Sequence, residues 1–328
     1  MTPPLETLLR VERRRQRAAL LAAALCALLV GCASVALLGL SGWFITAAAF
    51  AGLAGPLAAQ AFNYMLPSAA IRLLAIVRTG GRYGERIASH AAALRALARI
   101  RSALFSAVAA MPAAKSLGLH LGDLSARMIQ DIGVVEGRFV RRSAPWYAMG
   151  GAVAAAALIL LGGVAPAAAA LACMVLLLIA ADRLATRIAA LGGDVQIAAG
   201  ALKDVVGAMA GAAPELRCYA LETWALDRIS EGSDRLADAQ RDLAKATAWF
   251  ELLQALAAGG AAVAALLLSA RAGAPIAALA ALAAAMAVDS LAPLLRDLSA
   301  RGAVREAEAR LNEVLESPTD RPHPASIV

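Results

Sequence analysis

From Ala18 to Ile71 the chain carries no charged residue, and from Ser143 to Ala181 it again carries none. A hydrocarbon core about 30 Å thick is crossed by roughly 20 apolar residues in a helix. Each stretch is therefore long enough for two crossings joined by a turn. The composition agrees: 61% of the residues are hydrophobic, against roughly half in soluble domains. A soluble Ala-rich bundle is the competing reading. It fails because such a bundle needs a polar face, and these runs have none. The apolar segment that follows Arg13, Arg14, Arg15 and Arg17 is too long for the core of a signal peptide. Cys26, Cys32, Cys173 and Cys218 form no CxxC pair. Three of them lie in apolar runs and read as small buried hydrophobes.

Turn residues divide the chain. Residues 3–17 read as a short interfacial helix. The first span runs from about Ala18 to Ala49 and ends near Gly52, Gly55 and Pro56. The second helix is expected to begin near Leu57 and to continue without a break to about Ala110, where Met111-Pro112 stops it. Such a helix is about 75 Å long at 1.5 Å per residue, so its Arg-rich end must stand in water. The third helix is expected from Gly122 to Leu161, the fourth to about Met209, the fifth from Glu222 to Ser269 and the sixth to about Glu316. Gly162-Gly163 with Pro166, and Ala272-Gly273-Ala274-Pro275, make the intervening turns. The expected fold is an all-α membrane protein with six spans and long helical extensions. Residues 1–316 form the membrane domain, and 317–328, with three prolines, form a linker stub.

Charge sets the orientation. The turns at 50–56 and 162–166 are uncharged, and the turn at 270–275 carries only Arg271. The other end carries the Arg13–Arg17 cluster, the Arg-rich 78–101 region, Lys115 to Arg142 and Lys203 to Lys245. By the positive-inside rule that end, with both termini, is cytoplasmic. The net charge of +7 reflects this bias, and no nucleic-acid partner is needed to explain it. Minimal outer turns and long inner helices joined by short loops are the layout by which an ABC exporter passes force from its ATPase domains to the membrane.

Three strings sharpen that reading. They are Leu40-Ser41-Gly42-Trp43-Phe44-Ile45, Phe62-Asn63-Tyr64-Met65-Leu66-Pro67-Ser68-Ala69, and Arg78-Thr79 with Arg82-Tyr83-Gly84-Glu85-Arg86 and Ser89-His90. They closely resemble the CydC family of half-transporters, densely over residues 38–101 and in layout over the whole chain. Gly122-Asp123-Leu124 with Arg127 and Asp131, and Glu215-Leu216 with Tyr219 and Glu222, match exporters generally. The resemblance implies an inner-membrane permease subunit that pairs with a CydD-like half-transporter. It implies export of cysteine or glutathione in support of cytochrome bd assembly. It also implies haem as a candidate ligand, with His90 as the matching histidine. Two departures stand out. Ala91 follows His90 where the family usually has Asp. No G-x-x-x-x-G-K-[ST] phosphate loop occurs in the sequence. ATP is therefore expected to act through ATPase domains outside this chain, which is read as a transporter subunit and not an enzyme. A lipid or drug half-transporter, and a haem-sensing membrane module, are the alternatives.

Candidate site residues follow from position. Arg78, Arg82, Arg86 and His90 recur every four residues, as a slowly turning row on a helix. With Tyr83 they suit an anion such as a peptide carboxylate or a haem propionate; a cation-rich membrane flank would look the same. Arg72 lies inside the second span, where an arginine should face a cavity or a partner or reach to the interface. Asn63 and Tyr64 are either cavity groups or interhelical hydrogen-bonding groups. Asp289, the acid deep in the sixth span, is expected to pair with an arginine across the bundle. Ser116, Leu117, Gly118 and Leu119, and Glu215, Leu216 and Tyr219, lie in the two inner turnarounds and are read as coupling helices. Lipid surrounds the spans, and no metal site is expected.

Overall fold

The computed structural model describes residues 4–110 and 132–316, and among these no strand occurs. Eleven α-helices are described: α1 (Pro4–Arg15), α2 (Arg17–Leu53), α3 (Pro56–Ala61), α4 (Met65–Ala109), α5 (Ile132–Val140), α6 (Ala144–Ile159), α7 (Val164–Gly211), α8 (Ala213–Cys218), α9 (Glu222–Leu268), α10 (Ala274–Asp289) and α11 (Ala292–Leu315). Five segments are long and apolar enough to cross a membrane: Arg17–Leu53, Ile132–Gly162, Val164–Gly211, Glu222–Leu268 and Ala274–Asp297. The fold is all-α and multi-pass, as the charge-free runs require.

The second expected span, from Leu57 to Ala110, is not one continuous helix and is not among these five. Residues 62–64 are non-helical and separate α3 from α4. Pro67 is the cause. Within a continuous helix its ring would clash with the Asn63 carbonyl, and it has no N–H to bond there. Placed in the first turn of α4, it breaks nothing. Asn63 Oδ1 instead accepts the Leu66 N–H at 3.3 Å, and the Phe62 ring stacks on Phe44 of α2 with centroids 6.0 Å apart. Two more expected helices are broken for the same reason. Pro145 starts α6, and the chain before it tightens to a 3-10 turn at Arg141–Ser143. Pro293 starts α11, so the sixth helix is interrupted at Ser290 and Leu291. The third and sixth helices are thus each two helices end to end. The first coupling segment, Ser116–Leu119, and the stub 317–328 lie outside the described residues.

In the membrane-spanning part, α2 packs against α4, α6 and α10, and α9 packs against α7 and α10. The contacts are close because small residues meet. A Cβ on Gly31 of α2 would lie 2.2 Å from the Tyr147 carbonyl oxygen, and one on Gly150 of α6 would lie 2.2 Å from the Leu28 carbonyl oxygen. The Cys32 thiol donates to the Gly150 carbonyl at 3.2 Å. A Cβ on Gly151 would lie 2.4 Å from Ser290 Oγ, at the break between α10 and α11. Without water, helices associate through such close packing, and that favours small residues at the contact.

The charged end has its own apolar core. On α4, Ala93, Leu97, Ile100 and Leu104 form one buried stripe at helical spacing. It packs with Leu5 and Leu9 of α1, Ile132, Val135 and Phe139 of α5, and Leu311 and Val314 of α11. Ion pairs ring this core. Glu12, buried, meets Arg99 at 2.7 Å and Arg15 at 3.5 Å. Arg138 reaches Glu6 and Glu308. The first N–H groups of a helix have no partner within it; that of Leu5 donates to Asn312 Oδ1 at 3.0 Å.

The glycine contacts lead to a stability test. Gly150→Ala forces the α2 and α6 backbones apart and should cost about 1–3 kcal/mol. It should lower the apparent melting temperature in detergent. Gly200→Ala, in α7 with nothing near its Cβ position, should be neutral or slightly stabilising because alanine favours helix. Equal melting of the two variants would show that this contact does not hold the helices together.

Candidate functional site

A cavity of about 650 Å³ opens where the membrane-spanning helices meet the charged end. Its apolar wall comes from Ala27 and Val30 of α2 and from Ala144 at the start of α6. Its polar groups come from four places. The α4 helix contributes Arg82, Glu85 and Arg86, and the 3-10 turn contributes Arg141 and Ser143. Tyr147 comes from α6, and Asp289 with Arg296 comes from the two sides of the α10–α11 break. The volume falls in the roughly 300–1,000 Å³ range of small-molecule sites.

Both proline breaks beside the cavity shape it. Pro145 forces the 3-10 turn that brings Arg141 and Ser143 to the rim. Pro293, itself in the lining, ends the helix that carries Asp289. Ser143 Oγ donates to Glu85 Oε1 at 2.6 Å and so ties α4 to the α5–α6 junction. Arg141 Nε donates to Asp297 Oδ1 at 3.0 Å, which neutralises it. Among the described residues, Arg82, Arg86, Arg296 and Asp289 have no ion-pair partner. The lining thus carries three uncommitted guanidinium groups against two carboxylates, Glu85 and Asp289. Its field favours an anion.

The basic row does not act as one unit. A step of four residues advances about 40° around a helix, so the row turns by about 120° from Arg78 to His90. Arg82 and Arg86 line the cavity, while Arg78 and His90 do not. His90 turns toward α5, with Nδ1 3.7 Å from Glu136 Oε1. Haem ligated by His90 inside this cavity therefore does not fit. Of the lining residues, only Tyr147 carries a group of a kind that ligates haem iron.

Arg72, Asn63, Tyr64 and Tyr83 are exposed and outside this cavity. Asp289 is brought toward the arginines, as its place in the sixth span suggested, but it pairs with none of them among the described residues. The α10 helix ends at Asp289, so its side chain opens to the cavity instead of being enclosed in the bundle. Sequence reasoning missed Arg141, Ser143, Tyr147 and Arg296. The available signal was a proline within a few residues of each, which turns a helix end toward the bundle interior.

At the far end of the extensions, α8 carries Glu215 and Leu216, and Tyr219 follows it. Glu215 and Tyr219 are exposed. The turn closes by Leu221 N–H to Leu216 C=O at 2.8 Å, with Ala220 at φ 53°. This is the left-handed position where helix ends usually place glycine. An alanine held there fixes a short exposed helix between two long ones.

Fold and cavity together define a class: an all-α chain with five helical segments long and apolar enough to cross a membrane and a charged cavity at their end. The chain is 42% identical over 113 residues to the glutathione/L-cysteine transport system ATP-binding/permease protein CydC of Escherichia coli (strain K12). That stretch is 34% of this chain and 19% of the relative. It is 38% identical over 114 residues to the protein of the same description from Haemophilus influenzae, 35% of this chain and 19% of that relative. The matched stretch thus spans about a fifth of the length of these curated relatives. Over about a third of its length, the chain is thus similar to these CydC proteins. No protein-family model matches the chain.

Proposed function

We propose that this chain is the permease portion of a heterodimeric ABC exporter for small anionic thiols, cysteine or glutathione, in a bacterial inner membrane. The cavity carries the reading: Arg82, Arg86 and Arg296, unpaired among the described residues, in a space of small-molecule size. The printed description of both relatives, glutathione and L-cysteine transport, supports the ligand class. A cavity lined by this many charged groups is a poor site for an apolar drug or a lipid tail, which would displace their water without supplying a partner. The second half would be a CydD-like chain, and ATP would act through ATPase domains docked at α8 through Glu215, Leu216 and Tyr219. Support of cytochrome bd assembly follows from this reading as its physiological role.

Haem at His90 is the second reading, favoured by one observation. A carboxylate beside Nδ1 orients an imidazole and leaves Nε2 for a metal, and Glu136 stands at that nitrogen. Haem would then lie on the α4–α5 face, outside the cavity.

Ligand titration separates the two. A charge-assisted contact is worth about 1.5–3 kcal/mol. Arg86→Ala should therefore weaken glutathione binding by roughly ten- to a hundredfold, and His90→Ala should leave it unchanged. Unchanged glutathione affinity in both Arg82→Ala and Arg86→Ala would refute the cavity as the site. In a haem titration, His90→Ala should shift the Soret band if His90 is the ligand; an unshifted band removes the second reading.

Orientation has a natural probe. Cys218 is exposed at the end of α8. With both termini cytoplasmic, a membrane-impermeant maleimide added to intact cells should leave it unlabelled and should label it once the membrane is opened. Labelling in intact cells would invert the topology.

A further inference from the structure

The geometry points to Asp289 as the acid that reads the ligand's ammonium group. The cavity then selects a zwitterion, an amino acid or short peptide with a free α-amino group and at least one carboxylate, over a simple anion. This rests on the ligand reading above and adds a specificity-determining residue to it.

Each charged group in the lining can be assigned. Arg141 is held by Asp297, and Glu85 accepts the Ser143 hydroxyl. Arg82, Arg86 and Arg296 are left to meet carboxylates. Asp289 is different. It shares a cavity with three uncommitted guanidinium groups, yet no cation lies within ion-pair distance of it among the described residues. An acid that served only to offset those arginines would pair with one of them.

Its local structure also favours a cation. Asp289 is the last residue of α10, and the end of a helix carries partial negative charge. Pro293 follows four residues later and has no N–H, so the Asp289 carbonyl lacks its usual helical donor. One residue thus supplies a carboxylate and an uncommitted main-chain carbonyl. A primary ammonium has three donors and suits such a pair of acceptors. The arginines stand on other elements or beyond the break, so a ligand with its amine at Asp289 can present carboxylates to α4 and to Arg296.

The experiment uses the assembly purified from membranes with its bound partner, titrated calorimetrically with glutathione and with N-acetylglutathione. The acetyl group removes the positive charge and keeps both carboxylates and the thiol. The wild type should prefer the free amine by roughly ten- to a hundredfold, the loss expected when a charge-assisted contact is removed. Asp289→Asn should bring the ratio of the two affinities close to one, mainly by weakening glutathione. Asp289→Glu should retain the preference. A ratio is insensitive to a partly unfolded sample, so a folding defect does not mimic this result. A preference retained in Asp289→Asn overturns the assignment. So does an Asp289→Asn that tightens both ligands alike, the behaviour of an acid that only tempers the arginines. Equal binding of both ligands to the wild type rejects the ammonium site while the anion site stands. Binding of neither rejects the ligand reading itself.

Discussion

Everything near the cavity hangs on one contact, the approach of α2 to α6 through Gly31, Gly150 and Gly151. At Gly31 and Gly150 a methyl group would collide with main-chain oxygen atoms of the facing helix, and at Gly151 with Ser290. The two backbones therefore touch with no side chain between them. Helices cannot be driven together in lipid by exclusion of water, so the depth of such contacts sets how firmly they associate. Ala27, Val30 and Tyr147 line the cavity immediately beside this contact. Ser290, which presses on Gly151, adjoins Asp289. The closest packing in the membrane-spanning part and the polar cavity are neighbours because the same residues serve both.

Proline converts this packed bundle into one with a polar opening. An unbroken helix through Asp289 to Arg296 would continue the line of the sixth span. Pro293 interrupts the hydrogen-bond ladder of that helix, and Pro145 does the same in the third, while the flanking residues keep right-handed helical angles. Both breaks fall at the level of the cavity. The cost of a proline inside a helix, about 3 kcal/mol or more, is avoided because each proline sits in the first turn of a new helix. Carbonyls freed by an interrupted ladder are tolerated where they line a cavity, and the residues beside these breaks line one.

Much of the fold was legible in the sequence. The charge-free runs located the first span and the α6–α7 pair, and Gly-Pro clusters located their turns. The ends of α7 and α9 fell within a few residues of the expected positions. The errors share one cause. Pro67, Pro145 and Pro293 lie in apolar or small-residue contexts, and hydrophobicity masks them as breakers. The candidate site was half legible. A row at four-residue spacing shows which helix bears the cations but not which of them share a face with the cavity. That depends on the drift of about 40° per step and on the placement of α5, which receives His90. Arg141 and Arg296 come from other elements, and no local pattern joins them to Arg82 and Arg86.

The arginines themselves separate structure from function. Several at the charged end are engaged, Arg13 with Glu6, Arg99 with Glu12 and Arg138 with Glu308, and at the cavity rim Arg141 pairs with Asp297. These pairs tie α1, α4, α5 and α11 around the second apolar core, and there charge offsets charge. Elsewhere in the cavity lining, Arg82, Arg86 and Arg296 have no ion-pair partner among the described residues. These three are exposed at the cavity, so water can solvate them. A bound anion would replace that water with carboxylates. Binding would then draw α4 toward the start of α11, the two elements that hold the uncommitted guanidinium groups. The α11 helix packs along α7, which leads into α8. A ligand seated between α4 and α11 is therefore connected, through one packed helix pair, to the exposed turn that carries Glu215, Leu216 and Tyr219.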